Sequence, residues 1–545
     1  MQLVMLSLRV DFGGIYYFGG FFMKVVSSKE MKDIEGEAIS NIGIPSLSLM
    51  ETASSKFAER CFNVIKRNKK SKIVVFVGKG NNGGDGLAFC RHIFQKVTDD
   101  FKIDIDVIFI GEKEKATDEC KTQLDILLNL VKRNYPYKLH FTNDISDLDF
   151  SICDLISSAD LIVDAIIGTG LKYDLRKNIL DVVKAINENK TGVVASIDCP
   201  TGIDVDTGKV LGDAIMADFT VTFHLPKVGL MVGDGAIYSG EVFVEDINIP
   251  YGLENYVKTN VFTQKDVAKI IPKRLKNGNK GTFGKVVIFA GSDDMSGACA
   301  ISAKSAYRTG SGLVYVYSTQ KVCDFVRGHI PEVVATPLND RNGYLFGESF
   351  DKNNADFSKA DSIVIGPAIG TADCVADFIK TVFENAKSPI IVDADALNVI
   401  SKDLSLFDRV SVPCIVTPHI GEMSRLTGLS ISDIKKNIIE VARDFSQKYN
   451  VITVLKDFHT VIANPNGDVY INTTGCSALS KGGSGDCLTG VIASFIGQGV
   501  EPFYGAVIAN FIFGLAGELI AKDKGEFGVL ATETADYIPK AIEVI

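Results

Sequence analysis

Histidine is scarce in this chain, with six in 545 residues and none paired with another at metal-ligand spacing. The eleven cysteines form no CxxC pair, and their number is odd. These absences exclude a zinc site and a disulfide framework, and they suit free thiols in a reducing cytoplasm. A net charge of -10 argues against a nucleic-acid partner, which would select a basic face. The densest basic stretch, residues 66–72, reads as a solvated helix end. Short repeats and low-complexity tracts are also missing. The apolar runs of residues 1–22 are too short to span a bilayer, and no membrane partner is expected.

What remains is an ordinary globular composition, 46% hydrophobic and 23% charged, with length for roughly two to four domains. The leader, residues 1–22, is apolar and Gly-rich but carries Arg9 and Asp11. Met23-Lys24-Val25-Val26-Ser27 reads like a natural start, so the leader is taken as a wrongly assigned start or a disordered extension.

From Met23 to about residue 250 the pattern alternates helix and strand. Helices are expected over 30–39 and 47–67, and strands over 73–77, 105–110, 161–167, 193–197 and 219–223. Apolar runs of this length between helices favour a parallel sheet covered on both faces. Residues 247–261 lack periodicity and contain Pro250-Tyr251-Gly252, which marks a domain boundary. A second α/β series follows, with strands expected over 285–289, 313–317, 362–365, 390–392, 415–416 and 451–455. A hairpin is expected around Asn464-Pro465-Asn466-Gly467.

Gly78-Lys79-Gly80-Asn81-Asn82-Gly83-Gly84-Asp85-Gly86 joins an apolar strand to a helical pattern. Glycines there let backbone approach a phosphate, and the free N–H groups of the helix start hold the anion. Two further strand ends carry Gly-rich polar turns, Gly168-Thr169-Gly170-Leu171 after Asp164 and Pro200-Thr201-Gly202-Ile203-Asp204 after Asp198. In open α/β sheets such ends converge on one crevice. An acid at the end of an apolar strand needs a partner, which makes Asp164 and Asp198 candidates for an ion or substrate contact. Simple helix capping is the competing reading for these two and for Asp85 and Asp204. The spacing Gly78-x-Gly80-x-x-Gly83 also fits a dinucleotide fingerprint, with Glu112 as the ribose-binding acid, although Gly84-Asp85-Gly86 is an unusual continuation.

These motifs, together with Glu30-Met31 and Leu49-Met50-Glu51, resemble the NAD(P)H-hydrate epimerase domain over residues 23–250. The resemblance implies a Rossmann-like three-layer α/β/α fold. It also implies that Asn81, Asn82, Gly83, Gly84, Asp85, Gly168, Thr169, Gly170, Leu171, Lys172, Tyr173 and Asp174 hold the hydrated dinucleotide. Asn82, Asp164 and Thr201 would coordinate a potassium ion, and Asp198 would move the proton that epimerisation at C6 requires. Thr201 and Lys79 depart from the family's usual serine and proline.

The second half carries Ser480-Lys481-Gly482-Gly483-Ser484-Gly485-Asp486 ahead of an apolar helix. Small residues leave the helix mouth bare for phosphoryl charge, and Asp486 in the first turn can take the proton of an attacking hydroxyl. Lys456-Asp457-Phe458-His459-Thr460 ends one strand, offering a cation and a hydroxyl to phosphates. Thr417-Pro418-His419-Ile420-Gly421-Glu422 ends another, and His419 with Asp395 is placed along the acceptor pocket.

With Lys280-Gly281, Gly291-Ser292, Gly297-Ala298, Gly366-Pro367 and Asp393-Ala394-Asp395-Ala396-Leu397-Asn398, this half resembles the NAD(P)H-hydrate dehydratase domain of the ribokinase-like superfamily, an α/β/α fold, over residues 258–545. The resemblance implies nucleotide binding by Lys456, Asp457, Phe458, His459, Thr460 and Gly485. It implies contact with the hydrated cofactor by Ala298, Ala368, His419 and Asp486. ADP, or ATP, with Mg2+ would be the phosphoryl donor. Asp457 and Ala368 stand where relatives carry glycine, and Asp457 bears on the choice between ADP and ATP. The expected protein is a cytoplasmic homo-oligomer acting on small molecules. Its activities would be epimerisation of NAD(P)HX and dehydration of the S form. The rival reading is a sugar or vitamin kinase with a non-catalytic nucleotide-binding module in front.

Overall fold

The computed structural model describes residues 10–11, 22–66, 70–98, 101–349 and 357–545. It divides into two units, Met1–Val257 and Lys258–Ile545.

In the first unit the strand Lys70–Val77 sends Ile73, Val75 and Val77 into one buried cluster and Val74 and Phe76 into another. That alternation requires cover on both faces, and helices provide it. Phe57 of the helix Ser46–Ile65 meets Phe89 of the helix Asn81–Phe94 edge-on at 5.1 Å. The strands are all parallel. Their order across the sheet is Val10–Asp11, Glu241–Glu245, Phe219–Phe223, Val193–Ile197, Leu161–Ala165, Lys70–Val77, Lys102–Ile110, Tyr137–Thr142. The chain therefore winds outward in one direction from Lys70–Val77, then returns to its other side at Leu161–Ala165. This reversal opens a crevice at the carboxyl ends of those two strands.

The second unit repeats the principle. Its order is Val334–Pro337, Leu313–Ser318, Lys285–Phe289, Ser362–Ile365, Ile390–Val392, Cys414–Val416, Ile452–Leu455, Val461–Ala463, Val469–Ile471, Thr259–Val261. Among these strands, pairing is antiparallel around Val461–Ala463, where the chain doubles back as the expected hairpin, and parallel between the others. The helix Pro502–Lys524 is long and apolar enough to cross a membrane, but most of it is buried. Its Asn510 amide bonds within the helix to the Ala506 carbonyl at 2.8 Å, as befits a core helix.

Every strand expected from the sequence is present, and both units have the layered α/β architecture. The structure adds Tyr137–Thr142 and Val334–Pro337, both sheet edges, where half-exposed residues and a proline blur the apolar signal. It also adds Glu241–Glu245, and Thr259–Val261 inside the stretch taken as aperiodic. One expectation is corrected. Residues 66–72 are not one helix end, because Lys70–Val77 is already strand and Ser71 is buried. Of the leader, only residues 10, 11 and 22 lie within the described residues, and Val10–Asp11 pairs with Val242–Phe243. The readings of a wrong start or a disordered extension otherwise fall outside them. All eleven cysteines are free, with Cys61, Cys299 and Cys414 buried as expected.

Candidate functional site

The turn Gly78–Gly80 leads into the helix Asn81–Phe94, whose N-cap is Gly80 and whose start has no side-chain cap. Its first N–H groups are therefore available to an anion. The turn depends on very close backbone packing. A Cβ on Gly78 would lie 2.1 Å from the Ile166 carbonyl oxygen, and one on Gly83 would lie 1.9 Å from that of Gly78. Gly83→Ala should therefore destabilise this unit by about 1–3 kcal/mol, the usual cost of overpacking. Thermal melting of the full chain would show it as a lowered first transition.

Above the crevice is a cavity of about 1080 Å3, at the upper end of the range of about 300–1,000 Å3 common for ligand pockets. Asn81, Asn82, Asp85, Gly168 to Asp174 and Asp198 all line it. So does Glu112, the acid that a dinucleotide fingerprint would require. Gly83 and Gly84 are buried instead, and a Cβ on Gly84 would meet Met50, so their role is close packing of the turn. The loop at Lys172 is tethered, its Nζ lying 2.6 Å from Asp206 Oδ2 and 3.1 Å from Ser28 Oγ. Tyr173 beside it is 84% exposed at the cavity mouth.

Capping does not account for Asp85, Asp164 or Asp198, whereas Asp204 Oδ1 accepts from Asp206 N at 2.8 Å and caps its own turn. Asp85 lies inside its helix, beyond the first turn. Asp164 is fully buried and accepts hydrogen bonds from Ser196 Oγ (3.0 Å), Thr201 N (2.7 Å), Thr201 Oγ1 (2.6 Å) and Ile166 N (3.3 Å). Burial pushes its carboxyl upward against those bonds. Close by, Asn82 packs beside Gly168 and carries a buried amide nitrogen with no hydrogen-bond partner among the described residues.

Asp198 has a left-handed backbone, φ +62°. Its Oδ1 accepts from Thr222 Oγ1 at 2.9 Å and from the buried ammonium of Lys227 at 2.5 Å. Glu35, from the helix Ser28–Ser40, faces the same cavity. Burial raises its carboxyl, and the neighbouring Asp198 adds to the rise against the pull of Lys227. Asp85 is raised well above the ordinary range by burial and then by Asp198 and Glu35. Glu35, Thr222 and Lys227 escaped sequence reasoning. The available signal was a lone lysine in the apolar run Leu225-Pro226-Lys227-Val228-Gly229-Leu230.

In the second unit four elements meet at one carboxylate. Asp393, after Ile390–Val392, is fully buried. Its Oδ1 accepts from Thr417 Oγ1 (2.7 Å) and Lys456 Nζ (3.0 Å), and its Oδ2 from Thr489 Oγ1 (2.9 Å). Thr489 belongs to the helix Ser484–Gly497, which starts after the left-handed Gly483 with no side-chain cap. Lys456 Nζ lies 3.3 Å from where a Cβ on Gly485 would sit, so that glycine admits the ammonium to the helix mouth. Asp486 stands in the same first turn, pushed up to about 6 by burial and then by Asp393. Sequence reading had noted Asp393 only as part of a motif.

The remaining candidates are distributed around this hub. Ala298 lies one helical turn before Ser302, whose hydroxyl bonds the Asp486 carbonyl at 3.0 Å. Ala368 holds φ +52° in the turn where Gly370 N donates to Asp395 Oδ2 at 3.0 Å. His419 has a structural task. Its Nδ1 accepts from Gly421 N (2.9 Å) and Glu422 N (3.3 Å), capping the helix Ile420–Thr427. Its half-exposed ring leaves Nε2 as the edge free for a ligand, 3.5 Å from Glu422. Phe458 is half-exposed and stacked on the buried His459 at 4.5 Å. Asp457 and Thr460 are partly exposed beside them.

Comparison with known proteins follows the same division. Residues 46–229 match the family described as YjeF-related protein N-terminus, and residues 286–540 match that described as NAD(P)H-hydrate dehydratase. The bifunctional NAD(P)H-hydrate repair enzyme Nnr of Moorella thermoacetica is 33% identical over 523 residues, covering 95% of this chain and 96% of its own. That of Dictyoglomus turgidum is 34% identical over 537 residues, covering 96% and 99%. Among solved structures, the ADP/ATP-dependent NAD(P)H-hydrate dehydratase of Bacillus subtilis, co-crystallized with ATP and Mg2+, is 29% identical. It covers 52% of this chain and 98% of its own, with a TM-score of 0.45. With both halves matched in order and identity above 30% across nearly the whole length, the chain belongs to the bifunctional NAD(P)H-hydrate repair enzyme family.

Proposed function

We propose that the chain restores hydrated NADH and NADPH through two activities, one in each unit. The unit Met1–Val257 interconverts the R and S hydrates, and the unit Lys258–Ile545 dehydrates the S form at the expense of ADP. One observation carries the reading. Each unit sets an uncapped helix mouth, suited to phosphate, beside a carboxylate held by a lysine ammonium.

In the first unit, Asn81 and Asn82 at the helix mouth and the loop Gly168–Asp174 bind the dinucleotide, with Asp198 facing the nicotinamide ring. There the carboxylate takes the proton of the C6 hydroxyl as the C6–N1 bond breaks with its electron pair going to N1, and returns it when N1 closes onto the opposite face of the C6 carbonyl, which inverts C6. Asp164, Thr201 and Asn82 are hard oxygen donors of the kind that suits a potassium ion. The fully buried Asp164 carboxylate supports the fit, since its hydrogen-bond partners are neutral hydroxyls and amides and no cationic side chain pairs with it among the described residues. Bound there, the ion supplies a fixed positive charge.

In the second unit, Lys456 and the amides at Gly485 hold the nucleotide phosphates, with Asp457, Phe458, His459 and Thr460 along the nucleotide. Mg2+ accompanies those phosphates. Asp486 takes the proton from the C6 hydroxyl as its oxygen attacks the terminal phosphorus of ADP, and AMP leaves. The C6 phosphate then departs with the C6–O electron pair, a proton is lost from C5, and the ring double bond re-forms. Ala298, Ala368 and His419 Nε2 line the hydrate. Eleven free cysteines support a reducing cytoplasm as the site of action, and a homo-oligomer is the proposed assembly.

The test is to supply hydrated NADH with ADP and follow AMP, phosphate and NADH. Equimolar formation of the three is expected, and absence of AMP would reject the dehydratase reading. Asp486 must be unprotonated to act as a base. Because its carboxyl sits at about 6, kcat/KM for dehydration should rise with pH through about 6 and then level. A profile flat from pH 5 to 8 would remove Asp486 from that role.

A further inference from the structure

We propose that Lys227 is the positioning residue of the first unit's site, fixing the Asp198 carboxylate so that only one of its oxygens is left for the substrate. The proposal rests on Asp198 being the proton-handling group.

Lys227 is a lysine with almost no solvent exposure, which is unusual unless its charge is matched. All three of its N–H bonds are used, toward Asp198 Oδ1 (2.5 Å), Thr222 Oγ1 (2.9 Å) and the Phe223 carbonyl (3.1 Å). Thr222 passes its own proton on to the same Asp198 oxygen at 2.9 Å. Both donors therefore converge on Oδ1. Asp198 lines the cavity, and no hydrogen bond among the described residues reaches its Oδ2. The backbone closes the arrangement, because the left-handed Asp198 donates its N–H to the Val221 carbonyl at 2.8 Å, one residue before Thr222.

A structural ion pair would be satisfied anywhere in the sheet. This one is built where the surroundings oppose a free carboxylate. Glu35 and Asp85 face the same cavity, and Cys199 follows in the chain. His224, three residues before Lys227, is buried with neither ring nitrogen bonded among the described residues, and burial holds it down at about 4, so it adds no positive charge near neutrality. Lys227 is then the cation set against Asp198 among two other acids, and its three-point anchorage keeps that cation from turning toward Oδ2.

The experiment uses the full chain, with Lys227→Met as the near-isosteric neutral variant, Thr222→Val as the milder one and Asp198→Asn as the reference. Epimer exchange is measured from hydrated NADH of one configuration, and dehydration by the same samples reports on integrity. Lys227→Met is expected to lower kcat for exchange about 10²-fold with KM near wild type. It should also move the acid limb of the exchange profile upward, because the opposite charge in contact with Asp198 Oδ1 is gone. Thr222→Val should move both in the same direction by less. Unchanged kcat and acid limb in a Lys227→Met protein that melts like wild type would overturn the proposal. A raised KM with normal kcat would do the same, by making Lys227 a substrate contact. If Lys227→Met fails to fold, Thr222→Val decides on the same two readouts. Exchange that is absent from the wild type, or normal in Asp198→Asn, would overturn the epimerase reading and this proposal with it.

Discussion

Asp486→Asn should abolish dehydration for practical purposes, lowering its rate by about 10²–10⁴-fold, the contribution of a positioned general base. The substitution keeps the size of the side chain and the helix that carries it. The Asp486 carbonyl can still accept from Ser302, and the Asp393 network does not pass through the Asp486 carboxyl. Nucleotide affinity should therefore survive, or improve slightly as a negative charge leaves the phosphate site. Epimer exchange, assayed on the same sample, should be unaffected. The measurement is single-turnover formation of AMP from ADP with hydrated NADH, beside equilibrium ADP binding. Retention of more than a tenth of wild-type rate would remove Asp486 as the base, whereas loss of ADP binding would make it a nucleotide ligand.

The second large effect is on stability. Asp393→Ala should destabilise the second unit by about 2–4 kcal/mol, because it removes the buried carboxylate that holds the partly buried Lys456 ammonium, with only Glu422 and Asp486 left as opposing charges. The hydroxyls of Thr417 and Thr489 each lose one acceptor as well and fall back on the Val392 and Gly485 carbonyls. Urea unfolding of the full chain should show the loss as an earlier transition, and a change under about 1 kcal/mol would mean that the network is dispensable. The sign with pH follows from the same carboxylate. Burial alone would raise Asp393, but the Lys456 charge and the hydrogen bonds of Thr417, Lys456 and Thr489 outweigh it, and the net shift is downward. Its contribution is thus complete above the unfolded carboxylate value and is lost as pH falls through the lower folded value. Glu422 acts in the opposite sense, since burial first of all raises it to about 7. It favours the folded state below about pH 4, and that benefit fades as pH rises toward 7.

Much of this was legible from the chain because two different signals coincide in it. Buried parallel strands are short apolar runs, and Gly-rich polar turns follow those that end at a site. Asn81, Asp85, Gly168–Asp174 and Asp198 were readable together because each lies just past such a run. The edge strands were not, since Tyr137–Thr142 and Val334–Pro337 mix exposed and buried positions. Glu35 and Lys227 were missed for another reason. A glutamate on an amphipathic helix resembles a solvated one, and nothing local to Lys227 shows that its partner lies 29 residues earlier. Asp393 illustrates the same limit: its position at a strand end was visible, but its three partners come from elements far apart in sequence. His419 was readable as special, but its capping of its own helix could not be separated from a ligand role before the ring's acceptors and donors were placed.

The left-handed backbone at Asp198 has a genetic corollary. Among side chains, asparagine and aspartate are the ones that enter that conformation most readily, and glycine enters it freely. Asparagine and glycine codons each lie one base change from aspartate. A lineage could thus silence the proton chemistry in one mutational step without straining this turn, but the buried Lys227 would lose its counter-charge, so a ligand sensor descending from this half of the chain requires a compensating change at Lys227 as well.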